Sequence, residues 1–297
     1  MVTANIDRAG RPARWLSALA GTPRLVGSIP PTVQVLLGVV SVQVGGALAK
    51  TLFSSTGSAT GVVALRLAFA ALILLLIWRP RIRRDTLGVV VAYGVVLAAM
   101  NLLFYLSLAR IPLGVAVTIE FLGPLAVALV GSRRALDVLW AVMAGGGVVL
   151  LARGGGAVDL VGVLLAAGAG ALWAAYILLS HRLGSRTSDG TGLALAMVIA
   201  AAVAVPFGAV DAGAALLTPT VLVAGLAVAL MSSVIPYSLE LEALRKIPPR
   251  VFGVLMSMEP AVAALAGLAL LGEALAPVQW VAICLVVAAS VGVTRVR

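Results

Sequence analysis

Two glutamates lie inside long apolar runs of this chain, each next to or shortly before a proline. Glu120 belongs to the stretch from Ile111-Pro112 to Pro124, and Glu259 to the stretch from Ile247-Pro248 to Pro260. The two stretches open alike and reach their second proline after the same spacing. A carboxylate in a lipid-spanning segment is costly and is usually kept for a function, here the binding of a proton, a cation or an ammonium group. Arg66, in another apolar run, is the basic counterpart. Its planar guanidinium can bind a ligand carboxylate through paired hydrogen bonds, or neutralise Glu120 as a structural pair. Both readings stand.

Weaker candidates surround these three. Tyr237 and Glu240 follow Pro236, where a kink would let them line a vestibule; Glu242 can pair with Lys246 one helical turn on. Lys50 is near the end of its run, where it can snorkel to the interface or reach a ligand. Gln43, Asn101, Tyr105, Trp173 and Tyr176 are polar or amphipathic groups within spans, suited to a cavity that orients a small polar ligand or, for the aromatics, to an interfacial belt. His181 reads as interfacial and Cys284 as a small packing residue. One histidine and one cysteine leave no metal site, no disulfide and no catalytic set, and no phosphate loop or cofactor motif is present. The chain is not expected to be an enzyme.

The elements that must carry these residues are membrane helices. Hydrophobic residues make up 62% of the chain and charged ones 11%, with mean hydropathy +1.16. Ten apolar spans are expected at about 32–53, 58–78, 86–109, 112–131, 135–152, 158–181, 189–209, 219–243, 249–271 and 275–294. They must be helical, because lipid cannot satisfy an exposed backbone, and runs such as Ala70–Ile77 lack the alternation of a barrel strand. The net charge of +10 is spread over short clusters rather than one face, which argues against nucleic acid. Those clusters fall in the N-terminal tail (residues 1–31) and after spans two, four, six, eight and ten. The positive-inside rule therefore makes that side, and both termini, cytoplasmic. The tail lacks the compact apolar core of a cleaved signal, although Trp15, Leu16 and Leu19 can lie on a membrane surface.

The matching Ile-Pro stretches fall in spans four and nine, so the repeat unit is five spans: 32–152 and 158–294. An odd number inverts the second copy across the membrane, a signature of alternating-access carriers whose site lies near the midplane. Glu120 lies roughly 12 Å into span four and Glu259 roughly 15 Å into span nine. Aligning the prolines sets Glu120 over Met256 and Glu259 over Gly123, so the two acids are not equivalent. Pro124, Pro260 and Pro236 are expected helix breaks, since proline removes a backbone donor. Gly145–Gly147 and Ala166–Ala171 are read as close-packing segments.

Several segments together resemble a known family. They are Gln43-Val-Gly-Gly-Ala-Leu-Ala-Lys50, Ala64-Leu-Arg-Leu67, Ile111-Pro-Leu-Gly114, Glu120-Phe-Leu-Gly-Pro-Leu-Ala-Val-Ala128, Pro236-Tyr-Ser-Leu-Glu240 and Leu255-Met-Ser-Met-Glu-Pro-Ala261. They look like the bacterial threonine/homoserine exporters of the EamA branch of the drug/metabolite transporter superfamily, over about residues 32 to 294. The resemblance implies an all-α integral membrane protein of ten helices in two inverted five-helix repeats. It further implies export of small hydrophilic amino acids from the bacterial inner membrane, with proton exchange as the driving force, and points to Lys50, Arg66, Glu120, Tyr237, Glu240 and Glu259. Two other readings are an exporter of cationic drugs or other metabolites, and a non-transporting scaffold or lipid-handling subunit. The first of these fits poorly with an aromatic share of only 5%.

Overall fold

The computed structural model describes residues 29–78, 80, 86–129, 135–153, 159–184, 191–244, 246–247 and 249–296. The tail containing Trp15, Leu16 and Leu19 and most arginines of the basic clusters lie outside the described residues, as do the His181 and Glu242 side chains. All regular structure among the described residues is helical. The helices are α1 (Pro31–Thr56), α2 (Ala59–Trp78), α3 (Leu87–Leu108), α4 (Leu113–Glu120), α5 (Leu122–Leu129), α6 (Ala135–Arg153) and α7 (Leu160–Gly184). They continue with α8 (Thr191–Ala212), α9 (Pro219–Ala229), α10 (Ile235–Leu244), α11 (Pro249–Met256), α12 (Glu259–Leu271) and α13 (Pro277–Val296). A π-helical turn, Leu230–Val234, joins α9 to α10.

Among the described residues, seven helical stretches are long and apolar enough to cross a membrane, and Leu113–Val127, Val138–Leu151 and Pro277–Gly292 are shorter apolar helices. The outer surface of the bundle is apolar as well. Val210 is 89% exposed, Leu76 and Leu160 67% each. A surface of that kind is stable facing lipid and would aggregate in water. Cys284 is also on this surface rather than in the packing.

Proline and glycine mark the ends of several elements. Pro31, Pro219, Pro249 and Pro277 begin helices, where the missing N–H has no helical partner to lose. Gly57 and Gly272 end α1 and α12 with φ of 67°, in the left-handed region that a side chain disfavours. The expected breaks are present. Span four bends at Phe121 between α4 and α5, and span nine turns at Ser257 and Met258 between α11 and α12. The first halves, α4 and α11, are each eight residues long and end at Glu120 and Met256, the two positions matched by aligning the prolines.

Hydrophobic burial does not drive helices together in lipid, so close packing of small residues must do so. At the α2–α8 crossing a methyl on Gly61 would come within 2.7 Å of Ala212 Cβ, and one on Gly208 within 3.0 Å of the Thr60 carbonyl. Gly114 of α4 lies against the backbone of Ala264 in α12, at 2.6 Å from such a methyl to Cα. The Gly145–Gly147 reading holds only for Gly147, which packs on Ala282 and Val286 of α13; Gly145 and Gly146 face open space. The helix pairings have a pattern. α1 packs on α9–α10 and on α11–α12, and α7 packs correspondingly on α3 and on α4–α5. α2 pairs with α8, α4 with α12, and α6 with α13.

Candidate functional site

The interrupted helices bring the expected charged residues to one region. An ordinary helix would have each proline nitrogen donate to the carbonyl four residues earlier, and proline has no hydrogen to give. Pro124 therefore leaves the Glu120 carbonyl, Pro260 the Met256 carbonyl, and Pro236 the Ser232 carbonyl without a helical donor. Span eight answers this with its π turn, a device frequent at functional sites. The freed carbonyls there are taken by side chains from elsewhere: Ser41 Oγ donates to the Met231 carbonyl at 2.7 Å, and Arg66 Nη2 to the Ser232 carbonyl at 3.0 Å. Gly45 lets α1 reach the turn, since a methyl there would overlap Ser232.

Arg66 is buried and held by neutral groups. Besides the Ser232 carbonyl, its Nε donates to Ser233 Oγ and its Nη1 to Tyr105 Oη, both at 3.2 Å, and its guanidinium carbon lies 5.5 Å from the Tyr105 ring centre. The direct Arg66–Glu120 ion pair offered as a structural reading does not occur among the described residues. A guanidinium has five N–H donors, so two remain for a ligand.

Glu120 and Glu259 are both buried, and they sit on opposite sides of their breaks. Glu120 is the last residue of α4, whereas Glu259 is the first of α12, where a helix N-terminus favours negative charge. The charges of Glu120 and Glu240 both act on Glu259, and Arg66 acts on Glu120. Glu240 is partly exposed and rests against Gly38 of α1, 3.7 Å from where a methyl would stand. Tyr176 stacks on Tyr93 with ring centres 4.9 Å apart and lies in hydrogen-bonding reach of Tyr93 and Tyr237. Trp173 packs edge-on against Phe121 at the span-four bend, with ring centres 5.7 Å apart. Asn101 is buried and donates to the Leu97 carbonyl at 2.8 Å; Gln43 is buried in α1. At the bend itself Gly170 of α7 lies on the Glu120 carbonyl, 2.7 Å from a methyl placed there.

Lys50 does not snorkel. Its Nζ is 2.6 Å from Glu273 Oε1 and donates to the Ile111 carbonyl at 2.7 Å. Glu273 Oε2 accepts the Leu113 N–H at 2.7 Å. This cluster stands at the start of α4, about 10 Å along that helix from Glu120. Nearby, Arg110 Nη1 bonds Asp159 Oδ2 at 2.9 Å, and Asp159 Oδ1 caps α7 through the Val161 and Gly162 amides. The Arg110 hydrogen bond holds the Asp159 carboxyl below the usual carboxylate range.

Sequence reading missed Ser232, Ser233, Tyr93 and Glu273. Ser232 was available as the residue four before Pro236. Glu273 was available as an acidic residue at the same end of the expected spans as Lys50. Ser233 and Tyr93 carry no sequence signal of their own, because their role depends on which helices meet.

Residues 160–295 match the EamA-like transporter family. Threonine/homoserine exporter RhtA of Salmonella typhimurium strain LT2 is 47% identical over 282 residues, covering 93% of this chain and 95% of that protein. RhtA of Escherichia coli strain K12 is 48% identical over 270 residues, 89% and 91% of the two chains. The chain belongs to the RhtA exporter family. A solved structure described only as a protein aligns with a TM-score of 0.58 at 19% identity, over 89% of this chain and 99% of the other. That likeness concerns the fold alone. Its relatives are exporters, so the chain is a transporter and not an enzyme, and Arg66, Glu120 and Glu259 are buried charged residues among its described helices. The arrangement can hold a carboxylate at Arg66 and an ammonium group or protons at the acids.

Proposed function

We propose that this protein exports small hydrophilic amino acids of the threonine and homoserine type across the bacterial inner membrane, in exchange for protons. The observation that carries the reading is the pair of exporters at 47% and 48% identity over about nine-tenths of the chain. The interior fits such a cargo. An amino-acid zwitterion offers a carboxylate, which suits the two spare donors of Arg66, and an ammonium group, which suits Glu120 or Glu259. Fully ionised, the buried Glu120 and Glu259 would set two negative charges against one positive, with the partly exposed Glu240 adding a third at the edge. Charge balance in such surroundings calls for cations, and protons or the substrate ammonium can supply them in alternation. Glu120 is the first choice for that exchange, because the Arg66 charge acts on it at the end of a half-helix; Glu259 is stabilised in place by the start of α12.

The architecture we propose for this work is ten spans in two inverted repeats, 32–152 and 158–294, with both termini cytoplasmic. Its support is the helix pairing: exchanging each span for the one five places on reproduces the contacts of α1 with α9–α12 and of α7 with α3–α5, with α2–α8 and α6–α13 mapping onto themselves. Spans four and nine break at matched positions. Rocking of one repeat against the other would expose the site to each side in turn.

The test is counterflow in proteoliposomes with labelled threonine, labelled homoserine and a cationic dye, with and without a pH gradient. Saturable exchange of the two amino acids, accelerated by the gradient, is expected. Exchange of the dye alone would replace the amino-acid reading with export of cationic compounds. Exchange of none would leave a non-transporting role.

A further inference from the structure

The Lys50–Glu273 pair joins parts of the chain that must separate if one end of the bundle is to open. Glu273 follows α12, Lys50 is in α1, and the Leu113 amide that Glu273 also binds begins α4. Lys50 in turn holds the Ile111 carbonyl just before α4. One carboxylate and one ammonium group thus tie together α1, the entry to α4 and the exit from α12. Those last two helices are the ones with Glu120 and Glu259 at their breaks. The side chains are 21% and 16% exposed, so the pair is partly desolvated yet within reach of water.

The surrounding backbone is shaped for it. The left-handed Gly272 turns the chain so that the Glu273 amide donates to the Gly267 carbonyl at 3.0 Å. The carboxylate then lies across Gly267, where a methyl would stand 2.8 Å from Oε2. The first repeat carries this lysine and the second does not. In the sequence match of Gly46-Ala47-Leu48-Ala49 with Gly170-Ala171-Leu172-Trp173, Lys50 falls on Ala174, which has no charge to pair.

We propose that Lys50 and Glu273 form the latch of the outer gate, closed in this structure and broken each time substrate leaves. The inference rests on the transport reading above. Charge-assisted bonds at both ends of the carboxylate make the closed state specific in geometry as well as favourable in energy. Glu273→Gln keeps an oxygen for the Leu113 amide but loses the ion pair. Lys50→Met loses the ion pair and the Ile111 contact. Gly267→Ala alters no charge but displaces the carboxylate sterically.

The test places one cysteine on α4 at a buried position, Ala116→Cys in a Cys284→Ser background, in right-side-out vesicles. A membrane-impermeant maleimide is added to each side in turn, and threonine counterflow is measured on the same proteins. Labelling from outside is expected to rise roughly tenfold in Glu273→Gln, Lys50→Met and Gly267→Ala, and to stay within about twofold of the parent in Lys50→Arg, which keeps the charge. Unchanged labelling in Lys50→Met and Gly267→Ala would overturn the latch, even if Glu273→Gln failed to fold. Counterflow with insensitive labelling would leave the transport reading standing without the latch. Sensitive labelling without amino-acid counterflow would keep the latch and remove the proposed substrate.

Discussion

Replacing Arg66 by lysine preserves the positive charge and removes the planar fork. The guanidinium spends three of its donors on Ser233, Tyr105 and the Ser232 carbonyl and retains two. An ammonium group has three donors in all, so it cannot satisfy those acceptors and also give a carboxylate two bonds. If the spare pair binds the substrate carboxylate, the substitution removes at least one charge-assisted hydrogen bond, worth about 1.5–3 kcal/mol. At about 1.4 kcal/mol per tenfold, threonine should bind roughly ten- to a hundredfold more weakly to Arg66→Lys. Equilibrium binding of labelled threonine to the purified protein measures this directly. A second ligand separates the substrate effect from disturbance of the π turn: threonine amide, which lacks the carboxylate. The amide should bind the parent weakly and lose little more in Arg66→Lys, because the interaction it would lose is already gone. Equal losses for threonine and its amide would refute carboxylate binding and leave Arg66 as a cap for the carbonyl that Pro236 frees.

Glu120→Gln should retain threonine counterflow but abolish its acceleration by a pH gradient; a variant that still couples to protons would remove Glu120 from that role. Gly170→Ala puts a methyl 2.7 Å from the Glu120 carbonyl, and overpacking of this kind costs about 1–3 kcal/mol, so thermal unfolding in detergent should shift down by several degrees. Asp159→Ala should speed hydrogen exchange at the Val161 and Gly162 amides, which the carboxylate caps. Because the Asp159 carboxyl is held below the usual range, its protection of those amides is fully present above about pH 4 and is lost as pH falls through the lowered value. Exchange rates corrected for intrinsic pH dependence should therefore stay flat from pH 8 to 5.

Much of the scaffold was legible because lipid leaves few choices. Apolar runs must be helices, prolines open their hydrogen-bond ladders, and the breaks of spans four and nine lie two to three residues before the expected prolines. Burial of Glu120, Glu259 and Arg66 also followed from their depth in those runs. Pairing did not. Arg66 falls roughly 12 Å into span two, as Glu120 does into span four, yet the guanidinium turned to Ser233, Tyr105 and the Ser232 carbonyl. Depth fixes a residue along the membrane normal and says nothing of its direction around the helix bundle.

The sequence by itself determined that the chain crosses lipid as helices, where those helices break, and which carboxylates and which guanidinium are forced inside. Composition and local chain chemistry suffice for that, since burial cost and a missing proline N–H act wherever the residue sits. Only the tertiary structure decided who meets whom: the π turn with Arg66, Gly170 with the Glu120 carbonyl, Lys50 with Glu273. Those contacts join segments tens to hundreds of residues apart. They depend on helix rotation and close approach, which no local pattern encodes.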